Sequence, residues 1–244
     1  MRKPLKTDSL SAFIGVNRRL YAFDGLAGII DHTFLKAFGG PEQMERHCEE
    51  ALQYGFAIVA IHPAEVETCV KLLAGTKVGV GAAIGFPLGQ NTVETKAFET
   101  RDAIDKGATE IDMVINVRAL QGGRPDVVQR EIANLVGLCR PRRVVTKVIL
   151  ETCYLTDEEK VAVCRMACEE GADFVKTSTG FGPAGATVED VRLMRDAVGP
   201  STKVKAAGGV RDLETALAMV EAGASRIGTS HGVAIMRRLL EVRS

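Results

Sequence analysis

Residues 169–180 read "EEGADFVKTSTG", an amphipathic stretch that passes through one Gly-Ala step into a short apolar run. The same pattern returns at 105–116, "DKGATEIDMVIN", and at 221–232, "EAGASRIGTSHG". In each, a glycine (Gly171, Gly107, Gly223) stands where a left-handed residue would close a helix, and a strand begins at once. Helix, glycine and strand in repetition imply parallel strands joined by crossovers. Carried along the chain, the pattern predicts strands near 26–31, 56–61, 78–85, 110–116, 144–151, 172–176, 203–206 and 225–229. Helices are predicted between and after them, near 41–54, 63–73, 91–106, 126–139, 156–170, 187–198, 211–222 and 231–241.

Eight such units fit a closed (β/α)8 TIM barrel. The expected organisation is a single barrel domain over 26–244, preceded by a short helical extension over 1–25 that packs on the lower rim. The strands are expected to be apolar on both faces, because such a sheet is covered outside and filled inside. The rival is an open doubly wound sheet, which normally carries a glycine-rich dinucleotide turn after its first strand. Here that place reads "IIDHTFLKAFGG" (29–40), without the spacing.

The 244 residues are 46% apolar and 25% charged, enough for a substantial core and unlike a disordered chain. Lysine plus arginine and aspartate plus glutamate each number 31, so no global field draws the chain to nucleic acid or an anionic membrane. The basic N-terminal stretch lacks the apolar core of a signal peptide, and no later run is long enough to span a bilayer. A cytoplasmic setting is expected. The six cysteines include no CxxC pair and read as reduced, structural thiols. His32, His47, His62 and His231 show no paired ligand spacing, and His47, in "MERHCEE", reads as solvated. Neither a metal nor another cofactor is expected.

In a barrel the site lies at the C-terminal ends of the strands. Asp112 falls on the fourth strand, Lys147 on the fifth, Lys176 on the sixth and Lys205 on the seventh, the lysines 29 residues apart at each step. Three ammonium groups brought together repel, and the least costly response is for one to lose its proton. A neutral lysine attacks carbonyls, and the resulting iminium withdraws electrons as an aldol cleavage requires. Asp112 supplies a carboxylate for proton transfer or pairing. Lys147 reads equally as a structural lysine paired with Asp112 or Glu151. Lys203 reads as solvated. Asp31, at the end of the first strand, is a further site candidate.

The loops after strands seven and eight, "KAAGGVRD" and "RIGTSHG", stand where barrels commonly hold phosphate on backbone N–H groups. Gly208, Gly209, Gly228, Thr229 and Ser230 are the candidates, with Gly180 after strand six. Arg211 reads either as a phosphate contact or as a surface charge, and Thr177 as a supporting residue beside Lys176.

"IDHTFL", "IGFPLG", "EIDMVIN", "KVILET", "FVKTSTGFGPAGAT", "VKAAGGVR" and "RIGTSHG" together resemble the deoxyribose-phosphate aldolase family of class I aldolases, over about residues 26–236. The resemblance implies reversible cleavage of 2-deoxy-D-ribose 5-phosphate to D-glyceraldehyde 3-phosphate and acetaldehyde, in deoxyribonucleotide catabolism. It implies Lys176 as the Schiff-base lysine, Asp112 as proton donor and acceptor, and Lys205 as the second lysine that depresses the first one's pKa. It maps a phosphate site onto Gly180, Gly208, Gly209, Gly228 and Ser230. The partners it implies are small phosphosugars and aldehydes, with a homodimer or homotetramer as the assembly.

Overall fold

The computed structural model describes residues 23–243. The extension expected over 1–25 lies almost wholly outside them. Eight parallel strands close into a barrel in chain order, β1 pairing with β8. They are β1 (Ile30–Thr33), β2 (Ile58–Ile61), β3 (Gly79–Ile84), β4 (Glu110–Val114), β5 (Val145–Ile149), β6 (Phe174–Lys176), β7 (Lys203–Ala207) and β8 (Arg226–Thr229). Around them run α1 (Phe23–Ala27), α2 (Pro41–Tyr54), α3 (Val66–Leu72), α4 (Val93–Asp105), α5 (Val117–Gln121), α6 (Pro125–Cys139), α7 (Asp157–Glu170), α8 (Val188–Ala197), α9 (Leu213–Glu221) and α10 (Gly232–Arg243).

The glycine signals work as read. Gly171 closes α7 at φ 79° and ψ 39°, and its N–H bonds back to Ala167 and Cys168 carbonyls. Gly107 and Gly223 also adopt positive φ, at 101° and 111°. At the other end of α7, the Thr156 hydroxyl caps Glu159 N while the Glu159 carboxylate caps Thr156 N, so the helix starts and stops where local chemistry dictates. The expected strand over 26–31 is half wrong. Leu26 and Ala27 are buried, but in the short helix α1, and β1 begins only at Ile30. Helix α5 was not expected; it starts at Asn116, whose side chain accepts from Ala119 N at 2.9 Å.

The apolar core lies between sheet and helices, built from outward strand residues such as Ile30, Val59, Ile111, Val148, Val175 and Ile227. The inward face departs from expectation. Asp31, Glu110, Asp112, Lys147 and Lys205 are all buried, and ion pairs join them inside the barrel. The interior of this barrel is in good part ionic.

A second buried pair braces the end of β4. Lys96 on α4 and Glu131 on α6 meet at 2.6 Å, each at most 1% exposed at the side chain. Burial pushes the Lys96 pKa down and the Glu131 pKa up despite their attraction, so the pair is held at a desolvation cost. Its return is placement: Lys96 donates to Val114 O at 2.8 Å and Glu131 accepts from Asn116 N at 2.9 Å, fixing the chain just beyond Asp112. Glu131→Ala, which strands the ammonium, is expected to cost about 3–5 kcal/mol in urea unfolding. A change within error of zero would show that Lys96 finds another partner. Among the described residues no helix is long and apolar enough to cross a membrane. All six cysteines are free thiols, with Cys48, Cys69, Cys139 and Cys164 buried.

Candidate active site

Strand register brings the predicted charges together. Asp112 lies opposite Lys147 across β4 and β5, and Lys176 lies opposite Lys205 across β6 and β7. Asp112 is the hub. Its Oδ1 accepts from Lys147 Nζ at 2.7 Å, and its Oδ2 accepts from Lys176 at 2.8 Å and from Lys205 at 2.7 Å. The cations hold Asp112 well below the usual carboxylate range, although burial alone would raise it.

Beneath this hub the network continues. Lys205 stands 2.5 Å from Asp31 Oδ2, as a charge contact outside hydrogen-bond alignment, and Arg226 donates to Asp31 Oδ1 at 2.6 Å. Arg226 also reaches Glu110 at 3.2 Å, and Glu110 in turn pairs with Lys147. Asp31 is therefore buried within the ion network, 0% exposed, and stays ionised because Lys205, Lys147 and Arg226 outweigh its desolvation. Lys147 is raised: burial opposes its charge, but Asp112, Asp31 and Glu110 overcome that. Its partners include Asp112, as the sequence allowed, but not Glu151.

Lys176 differs from its neighbours. It is 3% exposed, yet it forms part of the wall of an open cleft of about 540 Å³, and among the described residues its only carboxylate oxygen is one that Lys205 shares. Its pKa falls to about 8. Burial is the largest cause, Asp112 opposes it, and the positive charges of Lys205 and then Lys147 push the same way as burial. The expectation that a second lysine does the depressing is corrected in its order: desolvation leads and Lys205 adds to it. At neutral pH roughly a tenth of such amines are unprotonated and nucleophilic.

Gly180, Gly208, Gly209, Gly228, Thr229, Ser230 and Arg211 line the same cleft as Lys176. Two of them also serve the framework. The Thr229 hydroxyl is committed, donating to Val210 O at 2.6 Å and accepting from His231 N at 2.9 Å, so it ties two loops together. A Cβ on Gly228 would lie 3.0 Å from Lys205 Cε and 2.9 Å from Ala207 Cβ, so this glycine makes room for the lysine stem. Thr177 is fully buried, and its hydroxyl bridges Ala207 O and Ala207 N at 2.9 and 3.1 Å, stitching β6 to β7 outside the cleft. Lys203 is exposed, as read, and lies over the Phe174 ring.

Three features went unread. Arg226 and Glu110 sit at the first positions of their strands, where polar residues ordinarily meet solvent. Glu151 takes a left-handed backbone (φ 57°), and its buried carboxylate accepts from the Thr179 backbone N–H at 3.3 Å and from the Thr179 hydroxyl, pinning the loop after β6. His47 is buried rather than solvated. It stacks on His32 with centroids 4.0 Å apart and planes 16° apart, while His32 Nε2 meets Glu50 at 2.8 Å. Burial lowers His32 to about 4 and His47 to about 3, so both are neutral at ordinary pH. The two histidines and Glu50 gather enough donor atoms for a metal. Rings stacked nearly parallel do not point lone pairs at a common centre, however, as a shared ion about 2 Å from each would need.

Residues 26–240 match the family model described as DeoC/LacD family aldolase. Similar curated proteins include a deoxyribose-phosphate aldolase of Bacteroides thetaiotaomicron, 69% identical over 89% of this chain and 92% of that one. Another, from Thermococcus gammatolerans, is 54% identical over 86% of this chain and 95% of its own. Among solved structures, the tetrameric deoxyribose phosphate aldolase from Aeropyrum pernix superposes with a TM-score of 0.86 at 32% identity, covering 98% of this chain and 100% of that one.

Proposed function

The chain belongs to the DeoC/LacD aldolase family, and on that premise we propose that it is a deoxyribose-phosphate aldolase acting through a Schiff base on Lys176. The observation that carries this reading is a buried amine at the end of the cleft, lowered to about 8, whose one carboxylate partner is shared with a second lysine.

The neutral Lys176 Nζ adds to the aldehyde carbon (C1) of open-chain 2-deoxy-D-ribose 5-phosphate, and loss of water leaves an iminium. A base removes the C3 hydroxyl proton. The C2–C3 pair then moves into the iminium to give an enamine, and C3 departs as the aldehyde of glyceraldehyde 3-phosphate. Protonation at C2 and hydrolysis release acetaldehyde and the free amine. Asp112, between Lys176 and Lys205 on one oxygen, is placed to hold and pass these protons. Gly180, Gly208, Gly209 and Ser230 give the phosphate close backbone approach and a hydroxyl, with Arg211 as a cationic partner on the rim. Asp31 and Lys147 keep Asp112 and Lys205 in place from below.

The barrel over 26–244 is read as the aldolase domain, metal-independent and cytoplasmic. Assembly of identical subunits, as in the tetrameric A. pernix protein, is the expected state.

The test is reductive trapping. Incubation with acetaldehyde and borohydride, followed by peptide mass mapping, is expected to leave one ethyl group on Lys176. An unmodified Lys176, or an adduct on another lysine alone, overturns the assignment.

A further inference from the structure

The ion network inside the barrel does not balance. Among the described residues, Lys147, Lys176, Lys205 and Arg226 supply four cations against the three carboxylates of Asp31, Glu110 and Asp112. Charges largely shut away from water demand compensation, and although Arg226 keeps 16% of its side chain exposed, the three lysines are almost wholly buried, so one surplus positive charge is costly there. It disappears if one lysine gives up its proton. Contacts decide which one: Lys147 reaches three acids and Lys205 two, whereas Lys176 reaches Asp112 alone. Arginine does not deprotonate in proteins.

We infer that Arg226 and Glu110, which lie below the reacting amine and out of the cleft, are positioning residues for charge: Arg226 supplies the surplus that loosens the hold of Lys176 on its proton, and Glu110 sets how large that surplus is. Arg226 is suited to the part. It is anchored by Asp31 and Glu110, and its guanidinium lies over the Phe174 ring, 5.5 Å from the centroid. Without Arg226 the remaining network would be three against three, and the Lys176 ammonium would be a balanced charge. Without Glu110 it would be four against two, and the pressure on Lys176 to deprotonate would grow. The groups facing Lys176 are otherwise Asp112 from β4, Lys147 from β5 and Lys205 from β7. Across the open cleft lie Lys36, Arg46, Glu50, Arg211 and His231, which are at least partly exposed and water-screened.

The inference rests on Lys176 being the Schiff-base amine, and the experiment separates the two. The extent of reductive trapping by acetaldehyde and cyanoborohydride on Lys176 is followed from about pH 6 to about pH 10, a window that brackets ordinary amine titration. It is measured in wild type, Arg226→Met, Glu110→Gln and Arg226→Lys. Wild type is expected to show a midpoint near 8. Arg226→Met is expected to move it up and Glu110→Gln to move it down, each by on the order of one pH unit. Arg226→Lys keeps the charge and is expected to keep the midpoint. No adduct on wild-type Lys176 removes the aldolase reading itself. A wild-type adduct whose midpoint stays put in both neutralising variants, or moves the same way in both, overturns the charge inference alone, because a merely structural role lowers yield without opposite shifts. Should Arg226→Met fail to fold, Glu110→Gln decides the matter, since it preserves the shape and hydrogen-bonding reach of the side chain. Failure of Glu110→Gln to fold would show that this carboxylate serves the fold rather than the proton, and would also overturn the inference.

Discussion

Lys176→Ala is expected to yield a folded protein with no measurable aldol cleavage. The expected loss is at least about four orders of magnitude in turnover, the scale for removing a nucleophile around which a catalytic group is organised. The fold should survive because Lys176 contributes a single ion pair, to a carboxylate already held by Lys147 and Lys205. Its removal also relieves the positive surplus in the interior. Far-UV and near-UV circular dichroism should therefore match wild type while the cleavage assay reads zero. Lys205 cannot substitute as nucleophile. It is fully buried, is no part of the cleft wall, and is charge-paired with both Asp31 and Asp112. Turnover within tenfold of wild type in Lys176→Ala would mean that the reaction does not pass through this amine.

How much of this could be read from residues alone depended on whether local pattern or global curvature controlled the outcome. Gly171 announced both the end of α7 and the start of β6, because a positive φ at a helix end is a local demand. Lys147, Lys176 and Lys205 were legible because one βα unit separates each from the next; the parallel register sets Lys205 directly opposite Lys176, and Lys147 opposite Phe174, two residues before Lys176 on β6. Residues 26–31 misled because Leu26 and Ala27 are buried in a helix, and a short apolar run does not distinguish helix from strand. His47 misled because Glu45, Arg46, Glu49 and Glu50 surround it in sequence. Met44, His47, Cys48 and Ala51 nonetheless recur at helical spacing and all face inward, a signal that was present. Arg226 and Glu110 were out of reach of any local reading. Their place in the interior follows from closing eight strands into a ring, which turns the first residues of β4 and β8 toward the same axis.

Asp112→Asn separates binding of the carbonyl from the chemistry that follows. The amide still offers an oxygen, but the interior loses one of three negative charges, and its new N–H donors face ammonium groups with nothing to accept from them. Two results follow in opposite senses. Turnover is expected to fall by about 10²–10⁴, the usual scale for loss of a proton-transfer partner. The nucleophile itself is not lost, because fewer negative charges around Lys176 make its ammonium easier to deprotonate. Acetaldehyde trapping on Lys176 should then persist, and at lower pH than in wild type. Stability should also drop, by up to about 3–5 kcal/mol, since lysines are left in the interior without their shared partner. The pH dependence of that loss has a definite sign. Asp112 is held well below the ordinary carboxylate value of 3.8, so its contribution is complete above that value and fades only as pH falls toward the lower folded value. Asp112 itself therefore adds no slope between neutral pH and about 4, and the part of the gap in urea unfolding that its charge supplies should begin to close only in stronger acid. Normal cleavage in Asp112→Asn would leave the carboxylate as a structural hub and move proton transfer to Lys205 or to water in the cleft.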